Sequence, residues 1–170
     1  MTDSYRIERD SMGELQVPAD ALWGAQTQRA VQNFQISGLT MPREFIRALG
    51  LIKEAAARVN KDLSLLDPTK ADAIIEASAA VASGAFDTQF PVDVFQTGSG
   101  TSSNMTANEV IANLASKESG ERVHPNDDVT LGQSSNDVVP SATQVGAVLS
   151  ASEHLRPSLL HLAETIDIKS

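Results

Sequence analysis

The sequence predicts a mainly α-helical protein with a small β-hairpin at its N-terminus. Three observations carry that prediction. Apolar residues recur at helical spacing through most of residues 42–166, aromatic residues are only 4% while alanine is abundant, and strand-like alternation is confined to residues 5–17. Many alanines and few aromatics suit helices packed through small and aliphatic side chains better than a sheet sandwich. At 170 residues the chain is one or at most two domains long. A domain of that size buries roughly 70% of its unfolded surface, enough for a sizeable core.

Residues 5–17 alternate loosely through Tyr5, Ile7, Leu15 and Val17, with the Met12-Gly13 pair where a hairpin turn would sit and Pro18 as the stop. Residues 24–33 read as a short helix. The first long helix spans residues 42–63. Its Phe45, Leu49, Ile52, Ala56, Val59 and Leu63 are spaced 4, 3, 4, 3 and 4, the stripe of an amphipathic helix facing a core. Pro42 suits its first position. Asp67-Pro68 reads as an N-cap followed by proline, opening a helix striped by Ala71, Ile74, Ala77 and Val81 that fades at Gly84. Residues 85–101, with Pro91, Gly98 and Gly100, lack helical periodicity. A helix over residues 102–119 follows, with Met105, Val110, Ile111 and Leu114 as apolar members and Gly120 as its stop.

Residues 121–134 are irregular around Pro125 and Gly132. The chain is then helical again. Val138, Ala142, Val145 and Leu149, then Leu155, Leu159, Leu162 and Ile166, are each spaced 4, 3 and 4. Pro140 is placed in a first turn, where a missing N–H matters little. Pro157 predicts a kink or break near residues 154–158. The pattern still runs at Ser170 without a stop signal, so a chain cut from a longer protein is expected.

The net charge is −9, and Arg43, Arg47 and Lys53 are diluted by Glu44 and Glu54, so no basic face for nucleic acid is expected. There is no cysteine, which excludes disulfides and cysteine metal sites and fits a reducing, cytoplasmic setting. The N-terminus lacks the basic and apolar regions of a signal peptide. No run approaches the roughly 20 apolar residues of a membrane span.

Three irregular segments hold the candidate chemistry. In residues 97–105, Gly98 and Gly100 let the backbone turn and approach a ligand, while Ser99, Thr101, Ser102 and Ser103 add hydroxyls. A helix starts there, and its free N–H groups suit an anion such as a carboxylate. The competing reading is an ordinary loop and cap. The βαβ context of a dinucleotide loop and the Lys of a P-loop are both missing. In residues 123–129, His124, Asn126, Asp127 and Asp128 crowd around Pro125. That grouping reads either as a surface turn or as a site, without a recognised metal-ligand spacing. In residues 133–137, Ser134, Ser135 or Asn136 caps the next helix, or the helix start presents donors to an anion. Asn104-Met105-Thr106 matches a glycosylation acceptor and reads as chance without a secretion signal. His154 and His161 read as exposed helix residues.

In order and at this spacing, TGSGTSSNMTANEV, HPNDDV and QSSND at a helix start resemble the N-terminal half of class II fumarases, as do LWGAQTQRAVQNF and FPVDVFQTGSGT. The likeness extends from about residue 5 to the end. Among relatives on the same scaffold, aspartases typically carry Asn at the position of His124, Thr at that of Ser135, and Gly-Ala-Gly-Thr where this chain has Gly98-Ser99-Gly100-Thr101. Departures from the fumarase pattern are Thr106, Thr130-Leu131-Gly132, Val139 and Ser141.

The resemblance implies a homotetramer that hydrates fumarate to malate without metal or organic cofactor, each site drawing on three subunits. It implies substrate binding by Ser99, Gly100 and Thr101 and by Ser134, Ser135 and Asn136. It implies a second, non-catalytic dicarboxylate site at His124, Pro125, Asn126 and Asp127, with Arg122 near an arginine used there by some members. It further implies residues 1–133 as a mostly helical first domain and 134–170 as the truncated start of a long central helical bundle. The family's base, a serine on a Gly-Ser-Ser-x-x-x-Pro-Gly-Lys loop, has no counterpart here, so no catalytic residue is expected within the chain. The other readings are a short non-catalytic homologue that binds dicarboxylates or assists assembly, and a related lyase such as aspartase.

Overall fold

The computed structural model describes residues 4–169, in which a two-stranded hairpin leads into six helices. Strands β1 (Tyr5–Asp10) and β2 (Gly13–Pro18) pair antiparallel with Asp10 opposite Gly13. The turn is therefore Ser11-Met12, one position earlier than the pattern suggested, and the Asp10 carboxylate accepts the Met12 amide there. On β1 the apolar residues Tyr5 and Ile7 face solvent. Arg6 turns inward instead and donates to the carbonyls of Pro18, at the end of β2, and of Ala21 and Trp23 beyond it. Helix α1 (Ala25–Asn33) has no side-chain cap of its own. Buried Glu109 serves as one, accepting from the amides of Gly24, Gln26 and Thr27, an anion at the positive end of the helix.

Helices α2 (Arg43–Asp62) and α3 (Pro68–Ser83) pack closely. A Cβ on Gly50 would lie 2.7 Å from the Ala82 nitrogen, so the glycine sets how near the two backbones come. α3 starts as the sequence suggests, with the Asp67 carboxylate accepting the Thr69 and Lys70 amides, and its stripe Ala71, Ile74, Ala77 and Val81 is buried. Helix α4 (Thr101–Ser119) is the centre of the core, buried almost continuously from Ser103 to Ala112. Helix α5 (Ser135–Ser150) packs on α2 through Val138, Ala142 and Gly146. Gly146, which weakens the helical pattern, is where α5 meets the Glu44 backbone, 3.0 Å from a Cβ placed there.

Helix α6 (Arg156–Lys169) has no buried residue. Asn104 is 1% exposed, in keeping with a chance glycosylation match. No helix among the described residues is long and apolar enough to cross a membrane.

Three expectations need correction. The α2 stripe holds through Phe45, Leu49 and Ile52, but Val59 and Leu63 are 55% and 61% exposed. The buried face continues through Lys53, Ala57 and Asn60, so Lys53 is an interior residue and not a diluted surface charge. Adjacent alanines at 56 and 57 fit either phase, and the polar contacts of Lys53 and Asn60 decide between them.

Pro140 lies beyond the first turn of α5, whose cap is Ser134, and so removes one intrahelical bond. No break occurs at Pro157, and the irregularity expected near residues 154–158 takes another form. A wide π-type turn, Ala151–Leu155, precedes it, with the Arg156 amide reaching back five residues to the Ala151 carbonyl. The rod therefore continues. Arg47 on α2 clasps Glu153 in this turn at 2.6 Å.

The loop that leads to α4 is held by buried Asp93. Its carboxylate accepts from the amides of Phe95, Ser37 and Gly38. These bonds, the Phe95 amide foremost, outweigh burial and hold its pKa at about 2.

Candidate functional site

The structure brings two of the three predicted segments together. Residues 97–100 form a tight turn, with the Gly100 amide on the Thr97 carbonyl at 2.8 Å, and α4 begins immediately after. Gly100 is left-handed, at φ 66°, and a Cβ there would lie 2.7 Å from Val139 Cγ1 on α5. Its close approach is thus to the neighbouring helix. Gly98 has no positive φ and faces open space. Four residues into α4, Asn104 donates from Nδ2 to Ser135 Oγ at 2.8 Å. The starts of α4 and α5 therefore lie side by side, with residues 99–101 and 134–136 as neighbours.

Their hydrogen bonds leave donors to spare. Ser99 Oγ and Thr101 Oγ1 are 2.8 Å apart, so one donates to the other and one hydroxyl proton remains. Ser135 Oγ accepts from Asn104, which leaves its proton free for a third group. Ser134 caps α5 by accepting the Asn136 amide at 3.3 Å and likewise keeps its proton. Asn136 is exposed. Neutral O–H and N–H donors at two adjacent helix starts suit an anion.

A cavity of about 690 Å³ opens beside this face between the 94–100 loop and α5. Gly100 lines it, but Ser99, Thr101, Ser134, Ser135 and Asn136 do not. The hydroxyl wall is an open surface on the described residues.

The third segment stands at a different cavity, of about 630 Å³, lined by His124, Pro125 and Asn126 together with Arg9, Gln26 and Arg122. Asp127 does not line it and is exposed. Residues Pro125–Val129 form a wide π-type turn in place of the expected irregular stretch. His124 is its cap, with Nδ1 accepting the Asn126 and Asp127 amides at 3.3 and 3.2 Å and lying 3.1 Å from Asp127 Oδ2. Asp128 closes the turn, accepting the His124 amide and the Lys70 ammonium. Arg9 and Arg122 form no ion pair among the described residues. No cluster of three or more His, Asp or Glu suited to a metal occurs among them either.

Sequence reasoning missed several supporting residues. Gln96 pins the loop to α4, accepting the Ser103 amide and donating to Ser103 Oγ, both at 2.8 Å. Asn104, Lys53 and Arg9 were missed as well. The only signal for Asn104 was its spacing, one helical turn after Thr101 and so on the same side of the helix.

A lyase family model matches residues 13–170. The chain is 60% identical over 166 residues to a class II fumarate hydratase of Xylella fastidiosa, covering 98% of this chain and 35% of the relative. It is 60% identical over 167 residues to one of Mycobacterium tuberculosis, with the same shares. Among solved structures it superposes on class II fumarase from Schistosoma mansoni with a TM-score of 0.94, 40% identity, and 98% of this chain against 36% of that one. A fumarate lyase:delta crystallin from Brucella melitensis gives 0.84 at 45% identity, covering 88% and 36%. The chain spans about a third of the length of the curated relatives it matches. On sequence and fold together, the chain belongs to the lyase family and matches its class II fumarate hydratases along nearly its whole length.

Proposed function

We propose that this chain supplies carboxylate-binding walls of a fumarate hydratase, which converts fumarate reversibly to (S)-malate through an aci-carboxylate. The observation that carries the reading is the Asn104–Ser135 bond, which sets two hydroxyl-bearing helix starts side by side. Removing a proton next to a carboxylate spreads charge onto that carboxylate. The enzyme must therefore supply a base, donors for the new charge, and an acid for the departing hydroxyl. Neutral donors from residues 99–101 and 134–136 suit the second task. The base is assigned to residues outside this chain, as the family resemblance implies, and no metal or organic cofactor enters the reading.

His124, Pro125, Asn126 and Asp127 are assigned to a second, non-catalytic dicarboxylate site. The Arg9 and Arg122 guanidiniums at that cavity, without an ion-pair partner among the described residues, support the assignment. Residues 134–170 are read as the start of a central helical bundle; the exposed leucines of α6 support its association with further helices, and the assembly from four copies rests on the family resemblance. The cysteine-free sequence supports a cytoplasmic setting.

The test replaces the matching segment of the Mycobacterium tuberculosis relative with this chain. Malate added to the chimera should produce the ultraviolet absorbance of fumarate, and malate added to the 170-residue chain alone should not. A chimera that folds yet leaves malate unchanged would refute the reading. Turnover by the chain alone would put the base inside it, and a preference for aspartate would point to the related ammonia-lyase chemistry.

A further inference from the structure

Lys53 is fully buried on α2, and its Nζ donates to Gln133 Oε1 at 2.8 Å. No carboxylate pairs with it among the described residues. The other end of the Gln133 amide donates to the Val129 carbonyl at 2.8 Å, in the wide turn capped by His124. Two helical turns along α2, Asn60 donates to the Leu131 carbonyl at 2.9 Å. Residues 53 and 60 lie on one face of the helix. Together they grip residues 131–133, the short link between the His124 turn and the Ser134 cap of α5. Burial holds the lysine's pKa down at about 7. An interior amine without a counter-charge destabilises the fold relative to an apolar residue of the same size. Core filling alone does not account for it.

We propose that Lys53 is a positioning residue which, acting through Gln133, sets the placement of residues 133–136 and so aims the Ser134 and Ser135 hydroxyls. The functional part of this inference rests on the reading of those hydroxyls as a carboxylate-binding wall. The geometric part does not.

Amide hydrogen exchange, followed by NMR on the 170-residue chain, reads the placement directly. The variants are Lys53→Met, Gln133→Leu and the double substitution. Both single variants are expected to speed exchange at the Asn136, Asp137 and Val138 amides, which Ser134 holds, about tenfold, with the α2 and α3 core amides unchanged. The double variant should be no worse than either single one, because both remove the same contact. In the chimera, each single variant is expected to raise KM for malate about tenfold while kcat stays within about twofold.

Unchanged exchange at residues 136–138 in Lys53→Met overturns the proposal, as do additive effects in the double variant. Loosening spread evenly through α2 and α3 also overturns it, since that is the signature of a lost core filler. If Lys53→Met does not fold, Gln133→Leu at its half-exposed position decides: wild-type exchange there refutes the proposal. An unsubstituted chimera without activity would sink the carboxylate reading alone, and the exchange data would still decide whether Lys53 holds the turn.

Discussion

At Lys53, burial and hydrogen bonding act against each other. Its ammonium gives up its proton near pH 7 in the folded chain and near the ordinary 10.5 in the unfolded one. Between those values the unfolded chain holds the extra proton, so stability rises with pH across that window. Below it the buried charge exerts its full penalty, roughly 3 to 5 kcal/mol from the size of the shift. Denaturant unfolding at several pH values across the window should show the wild-type chain gaining stability relative to Lys53→Met. Parallel curves for the two would mean the amine is solvated. The same residue marks a limit of sequence reading, since a lysine in an amphipathic helix is assigned to the wet side by type alone. Ser135 marks another. Serines at a helix start normally cap, and Ser134 does. Ser135 keeps a proton to donate because Asn104, on a different helix, already occupies its oxygen. That distinction depends on a contact between segments, which no local pattern carries. The motifs marked residues 99–101 and 134–136 as candidates but did not show that the two groups lie side by side.

Elements whose ends are set locally were read well. Asp67, Pro68 and Gly84 bound α3 as the sequence suggests, because a cap and a stop act within a few residues. The phase of α2 was lost after its third turn, where both faces carry apolar residues and only tertiary partners separate them. The two wide turns were illegible because a bond to the fifth residue back has no residue-type signature. The start of α4 makes a sharp prediction. Gly100→Ala would combine a left-handed backbone with a Cβ driven into Val139, and should cost roughly 1 to 3 kcal/mol in urea unfolding. Adding Val139→Ala should recover the steric part and leave the backbone part. If Gly100→Ala alone is neutral, the α4–α5 approach is looser than a 2.7 Å gap from Cβ to Val139 allows, and the hydroxyl wall with it.

On the scale of the whole molecule, a well-packed body ends in a bare helix. Leu155, Leu159, Leu162 and Ile166 are 57%, 55%, 54% and 58% exposed, a stripe wide enough to drive association. Sedimentation of the 170-residue chain is expected to show self-association, and Leu159→Glu with Leu162→Glu should shift it toward monomer without loss of helical signal. A monomeric wild-type chain would mean that the stripe is covered by something other than copies of itself. The wide turn at Ala151–Leu155 adds a consequence of its own. One surplus residue in a helical turn rotates everything after it by about 100°. The α5 half of the rod seats on α2 at one bearing, and the leucine ridge of α6 points along another. Deleting a single residue from that turn would realign the two halves like a corrected screw thread. Any surface that covers both halves as they stand must curl around the rod instead of lying flat along it.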